Sequence, residues 1–206
     1  DPHYLTLDPA DVERKITSRT RAIVVVHLFG NPCDMDALAA IARKHKIPII
    51  EDCSQAHVTE YKGRLVGTIG DIGCFSFQQS KHMTTGDGGM IVSPHSRLIT
   101  HMRQLGGAGI SKTTWSRSTK KSYSWKYDVK SLGWKYLMND IAAAIGLVQL
   151  QRMPQMNKSR HQIALNYQKA LKGIPWLSFP KEHPHTIHSF HNFYILVPPR
   201  IRNRLI

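Results

Sequence analysis

Acidic side chains are nearly missing from the later part of this 206-residue sequence: residues 89–206 hold only Asp128, Asp140 and Glu182 against 18 Lys and Arg. Residues 1–88 hold 11 acidic and 10 basic side chains, so the net charge of +14 arises in the later part. Cysteine is scarce too. Cys33, Cys53 and Cys74 are widely spaced with no C-x-x-C pair, which indicates neither a disulfide framework nor a zinc site and fits a reducing, cytoplasmic setting. No apolar run approaches the roughly 20 residues that span a bilayer. The opening DPHYLTLDP has neither an initiating Met nor a signal-peptide pattern, so a soluble protein without a membrane partner is expected. No internal repeat is present. At 41% hydrophobic and 20% charged residues, the composition excludes intrinsic disorder.

What is present alternates helix and strand signals. Pro9 to Ser18 is polar and helix-compatible, and Ala22 to Phe29 (AIVVVHLF) is the apolar, β-branched run of a buried parallel strand. Asp34 to Lys46 places Met35, Leu38, Ala39, Ile41 and Ala42 at helical spacing, with acids in the first turn and bases in the last. Ile47 to Ile50 predicts the next strand, ending at Glu51 and Asp52, and Gly73 to Phe77 and Met90 to Ser93 predict two more. This is a βαβ series. Further on, Ser96 to Leu105 predicts a helix and residues 106–135 a long loop. Asn139 to Met153 predicts an apolar helix opened by an Asn cap. Pro154 to Lys172 predicts another, with Pro at its start, and Phe193 to Val197 a strand.

The long loop holds a basic stretch with interleaved aromatics. Ser111 to Lys135 carries seven basic residues, one acid, and Trp115, Tyr123, Trp125, Tyr127 and Trp134. Phosphate suits such a surface, whether from a nucleic acid backbone or a small phosphorylated ligand. A solvated loop that only aids solubility is the third reading, and composition does not separate them.

In an open parallel sheet, ligands collect at the carboxyl ends of the strands. Asp52 lies at one strand end, and Ser76 and Lys81 lie at another, five residues apart in CFSFQQSKHMTTGDGG. A pyridoxal phosphate site needs a lysine amine for the cofactor's aldehyde, a carboxylate to keep its ring nitrogen protonated, and donors for its phosphate. Taken singly, each residue is weak evidence: an Asp at a strand end is more often a cap, and a Lys in a Gly-rich loop is more often solvated.

Four blocks together are more specific. VHLFGNPCDMDAL (26–38), EDCSQAH (51–57), GTIGDIGCFSFQQSKHMTTGDGGMIV (67–92) and LGWKYLMNDIAAAIGLVQL (132–150) resemble, in order along the chain, blocks of the DegT/DnrJ/StrS family of pyridoxal phosphate-dependent sugar aminotransferases. The resemblance implies an α/β fold of the aspartate aminotransferase-like type I class. A large domain with a mainly parallel sheet would occupy residues 1–153, and a connecting helix and the start of a small α/β domain residues 154–206. It further implies that Lys81 is the lysine that bonds the cofactor aldehyde and shuttles the proton, and that Asp52 pairs with the ring nitrogen. Gln55 would approach the ring or its phenolic oxygen, and Ser76 the phosphate. Some relatives have histidine at the position of Lys81 and perform dehydration, so lysine implies transamination.

The sequence also departs from the family. Many relatives read G-Y-N-Y-R-M where this sequence has GWKYLM, which puts Lys135 at the position of an asparagine that reaches the neighbouring subunit's cofactor phosphate, and Leu137 at that of an arginine. A charge-assisted bond from Lys135 would keep the first role. The family's Gly-Thr phosphate loop and first strands would lie upstream of Asp1, and its small domain would begin near Trp176 and stop at Ile206. The chain is therefore expected to be the interior of a longer protein.

Other features receive plain readings. His183, His185, His188 and His191 resemble a metal tract but lack Cys or carboxylate partners, so no metal is expected. His27 and His57 are expected to pack or hydrogen-bond beside the site. Gly86, Gly88 and Gly89 are read as a tight turn, Cys53 as a buried small group, and Ile141, Ile145 and Val148 as a core or dimer face.

The leading expectation is an aminotransferase moving an amino group from glutamate or glutamine to a nucleotide-linked keto-sugar, as a homodimer with shared sites. A keto-inositol acceptor in aminocyclitol biosynthesis is its close variant. A non-catalytic regulatory protein on the same fold is the second class, and a nucleic-acid binder the third. Ser111 to Lys135 is read as a diphosphate-binding loop ahead of a nucleic-acid patch.

Overall fold

The computed structural model describes residues 1–112, 117–118 and 125–205. After a short first helix α1 (Pro9–Lys15), capped by the Asp8 carboxylate, the chain enters strand β1 (Ile23–Val26). Helix α2 (Met35–His45) follows, capped at Asp34. It leads to β2 (Ile49–Asp52), β5 (Ile72–Ser76) and β6 (Gly89–Val92). These four strands form one sheet in the order β1-β2-β5-β6. The first three are parallel and β6 is antiparallel to β5, so the mainly parallel α/β sheet expected from the sequence is present.

Register decides what each face carries. Val26 pairs with Asp52, and Asp52 with Cys74, so these three share one face, and Ser76, two residues beyond Cys74, shares it too. Val25, Glu51 and Gly73 lie on the other. That second face is covered: Ile23, Val25 and Ile49 are buried with Met35, Leu38, Ile41 and Ala42 of α2. The face of Asp52 is open, and Val24, Val26 and Ile91 are exposed on it.

A second sheet was not legible in the sequence. A hairpin of β3 (Glu60–Tyr61) and β4 (Arg64–Leu65) turns at Lys62 and Gly63, both with positive φ, as a two-residue hairpin turn demands. β7 (Thr186–Ile187) pairs antiparallel with β3. Each strand has two residues, too few to show alternation.

Helix α3 (Ser96–Gly106) matches its expectation. The next helix corrects one. α4 (Asp140–Ala170) is capped by Asn139 and runs unbroken for 31 residues through Pro154, in place of two helices meeting there. Proline removes one N–H within the helix, a cost of about 3 kcal/mol. Buried Met153 and Ala164 on either side of it supply the packing that keeps the helix continuous. The strand expected at Phe193 to Val197 is also corrected: only one bridge, Ser178 to Leu196, forms there, and Pro198 and Pro199 come at once after it, without N–H groups to extend a ladder. A short helix α5 (Pro199–Arg202) comes next. Among the described residues, no helix is long and apolar enough to cross a membrane.

Candidate active site

The carboxyl ends of β2 and β5 place Asp52 and Ser76 side by side, and the loops that leave them carry Gln55 and Lys81. Asp52 is the last residue of β2 and Ser76 the last of β5, on the same open face of adjacent parallel strands. Beyond Ser76 the chain makes a turn in which the Lys81 amide donates to the Gln78 carbonyl at 2.9 Å. It returns through Gly86 (φ +86) and Gly88 (φ +131) to β6. These two glycines occupy the left-handed region where side chains are strained, so GDGG is the return turn expected from the sequence.

Each of the four candidates keeps unspent bonding capacity of a definite kind. Asp52 accepts from the Ser54 amide through Oδ1 at 2.9 Å, and among the described residues neither its other oxygen nor Lys81 Nζ meets a hydrogen-bond or ion-pair partner. Gln55 Oε1 accepts from the Phe29 amide at 2.8 Å, which turns its NH2 group away as a free double donor. Ser76 Oγ accepts from the Gln78 amide at 3.3 Å, leaving its hydroxyl proton to donate. One carboxylate acceptor, one amine, one amide donor and one hydroxyl donor are what a ring nitrogen, an aldehyde, a phenolic oxygen and a phosphate require. The donor set fits pyridoxal phosphate.

A knot of bonds fixes the strand beneath Asp52. Glu51, 0% exposed, accepts four hydrogen bonds: from Ile69 and Gly70 amides on Oε1 (2.8 and 2.6 Å), and from the Gly67 amide and His27 Nε2 on Oε2 (2.7 and 3.0 Å). The Cys33 amide donates to His27 Nδ1 at 3.1 Å, so the ring proton sits on Nε2. Burial opposes the Glu51 charge, but the His27 bond and those from Gly70 and Gly67 outweigh it and hold the carboxyl below its usual range. His27, Glu51 and Cys53 are, among the described residues, the three side chains whose ligand atoms approach within 4.8 Å. Every lone-pair direction of Glu51 is already used, and burial, then the Glu51 charge, pushes the Cys53 thiol up. The group is structural, with no ligand atom left for a metal. The sequence signal for it was a charged residue at an inward strand position.

The histidine tract does not act as a unit. His183 stacks on Tyr4 at 3.9 Å, His188 on Phe190 at 4.0 Å, and His191 meets His82 edge-on at 4.9 Å. His57 rests against Phe75 and Phe77, and burial, with the His191 charge second, pushes it down to about 4. Cys53 is buried, as expected.

Lys135 lies apart, exposed on a stretch whose backbone bridges to Gly107. Trp134 and Tyr136 stack on each other at 6.1 Å beside it. In the basic loop, Arg117 lies 4.6 Å over the Tyr127 ring; Trp115, Lys120, Lys121 and Tyr123 lie outside the described residues. Ile141, Ile145 and Val148 are 77%, 44% and 57% exposed, so within this chain the stripe is not core.

The sequence pattern of the DegT/DnrJ/EryC1/StrS aminotransferase family matches residues 1–206. The spore coat polysaccharide biosynthesis protein SpsC of Bacillus subtilis is 41% identical over 197 residues, 96% of this chain and 50% of that protein. The GDP-perosamine synthase of Escherichia coli O157:H7 is 37% identical over 181 residues, 88% of this chain and 46% of its own length. Among solved structures, the aminotransferase TlmJ from Streptoalloteichus hindustanus superposes with a TM-score of 0.90 at 32% identity, covering 100% of this chain and 53% of that one. Spr1654 from Streptococcus pneumoniae, solved in its PLP form, matches with a TM-score of 0.86 at 26% identity, over 98% of this chain and 55% of its own. The chain thus spans about half the length of the curated relatives it matches.

Proposed function

The chain belongs to the DegT/DnrJ/EryC1/StrS aminotransferase family, whose cofactor is pyridoxal phosphate, and on that premise we propose that it carries the cofactor-binding face of an enzyme that aminates a nucleotide-linked keto-sugar. The observation that supports this most is the set of unspent groups at the carboxyl ends of two adjacent parallel strands: Asp52 and Ser76 on one open sheet face, with Gln55 and Lys81 in the loops that leave those strands.

When bound, the cofactor's ring accepts the electron pair left as the donor's α-carbon loses its proton. Asp52 would hold the proton on the ring nitrogen, because a carboxylate facing it stabilises the charged form. The Gln55 amide would donate to the phenolic oxygen and Ser76 Oγ to the phosphate. Lys81 Nζ would serve as the base that takes the proton from the donor's α-carbon and as the acid that hands it on. The amino donor in this reading is glutamate or glutamine.

Two surfaces extend the proposal beyond the cofactor. The exposed Ile141, Ile145 and Val148, with Trp134 and Leu137 nearby in sequence, support a homodimer, since an exposed apolar strip of this extent marks an interaction face. Lys126 and Lys130 on the basic loop support binding of the nucleotide diphosphate, and Lys135, exposed at its end, would reach the cofactor phosphate of the partner's site.

The test supplies the purified protein with pyridoxal phosphate and glutamate or glutamine, then a nucleotide-linked keto-sugar. Stoichiometric release of the oxo acid and then an aminated sugar is expected. Amination of a keto-inositol alone would move the substrate to the aminocyclitol class, and no oxo acid from either donor would leave a non-catalytic role for the fold.

A further inference from the structure

A buried histidine next to Lys81 is left unused by this chemistry. His82 is 2% exposed, and its Nε2 lies 3.1 Å from the carbonyl oxygen of Ser189. A carbonyl only accepts, so the ring proton is on Nε2. Nδ1 is buried with no hydrogen-bond partner, and the ring meets His191 at 4.9 Å and His57 at 5.7 Å. Burial first, then the charge of Arg160 and the facing His191 and His57, pushes His82 down to about 3. Lys81 adds its charge toward His57 and His191 from the same loop. In this cationic surrounding, imidazole supplies an N–H donor without adding charge, which lysine or arginine cannot do.

The turn that His82 grips is a junction. The Ser189 amide donates to the Gly30 carbonyl at 3.1 Å, and the His191 amide to the Phe29 carbonyl at 2.8 Å. Thr59 Oγ1 donates to Ser189 Oγ at 2.7 Å. Arg160 donates to the carbonyls of Phe190 and His191, at 3.3 Å each. Phe29, the other end of this chain of contacts, donates its amide to Gln55. Phe29 (φ 58) and Phe190 (φ 47) both sit in the left-handed region, a conformation that persists where surrounding bonds over-determine it.

Resting on the assignment of Lys81 and Gln55 above, we propose that His82 is a positioning residue: through the Ser189 turn it ties the loop that carries Lys81 to the Phe29–Gly30 turn that orients Gln55, so the two cofactor contacts are set as one unit. The distinguishing property is coupling between positions 82 and 55.

Two measurements on the full-length protein test this. Without added cofactor, hydrogen exchange is monitored by mass spectrometry in peptides covering 27–31 and 186–192. His82→Leu, which removes the donor, should speed exchange in both; His82→Gln, whose amide N–H takes the place of Nε2–H, should not. If the Leu variant does not accumulate folded, His82→Asn, with an amide too short to reach Ser189, takes its place. Unchanged exchange in 27–31 overturns the proposal, whatever happens with cofactor. With pyridoxal phosphate, loss of the donor should weaken binding about tenfold, the scale of one buried hydrogen bond. Gln55→Ala added to it should cost little more. Multiplying losses, as independent sites give, overturn the coupling. Faster exchange in a protein that binds no cofactor, wild type included, would support the His82 tie and refute the functional reading on which its role rests.

Discussion

Replacing Glu51 by Gln keeps the shape of the side chain and removes its charge and half of its acceptor capacity. The four donors that meet it come in two pairs, Ile69 and Gly70 on one oxygen and Gly67 and His27 on the other. Whichever way the amide turns, one pair faces an NH2 group. Two hydrogen bonds to a charged acceptor are lost, at about 1.5–3 kcal/mol each, and the remaining two weaken because their acceptor is no longer ionised. The expected destabilisation is about 3–6 kcal/mol, in the range for breaking a buried charged network. Urea denaturation at pH 7 reads it directly. The variant should also lose a pH dependence. The Glu51 carboxyl is held below its usual range when folded, so the unfolded chain binds the proton first as pH falls; its contribution is present above the ordinary carboxyl pKa and disappears as pH drops through the folded one. The wild type should show this loss and Glu51→Gln should not. A midpoint shift worth less than about 1 kcal/mol, outside the range of any charged hydrogen bond, would refute the account of Glu51 as the anchor beneath Asp52.

Three further outcomes rest on the geometry. His57, His82 and His188 are pushed by burial to about 4, 3 and 3, so the unfolded chain binds protons that the folded one refuses. Stability should fall as pH goes from 7 to 5, by about 1–2 kcal/mol per histidine, partly offset by Glu182, whose pKa is raised by burial; urea midpoints that stay flat over this window would contradict it. Gly30→Ala places a Cβ 2.3 Å from Ser189 Oγ at φ +92 and should cost at least about 2 kcal/mol by the same measurement. Pro154→Ala restores an N–H inside α4 and should stabilise by about 1 kcal/mol or more with unchanged helix content by circular dichroism; a loss of stability would mean that proline starts a separate helix there.

Legibility in the sequence tracked the strength of local pattern. The Ala22 to Phe29 run and the Met35–Leu38–Ile41 spacing carried β1 and α2 because one face of each is buried against the other, and burial is what hydrophobic periodicity records. Asp52 and Ser76 could be placed at strand ends, and Lys81 in the loop beyond, because the apolar runs that mark the strands end beside them. Contacts between distant segments left no such trace. The two-residue strands β3, β4 and β7 are too short for a period, and the bonds from Ser189 to Gly30 and from His82 to Ser189 join positions more than 100 residues apart. Pro154 misled for the opposite reason: a strong local breaker was overridden by the packing of Met153 and Ala164.

The central claim is that Lys81 is the lysine to which the cofactor bonds. The full-length protein, loaded with pyridoxal phosphate and reduced with borohydride, is digested and its peptides weighed. The account predicts a stable cofactor adduct on Lys81 Nζ, absent from Lys81→Ala. An adduct on another lysine, or none in a protein that holds the cofactor, would contradict it.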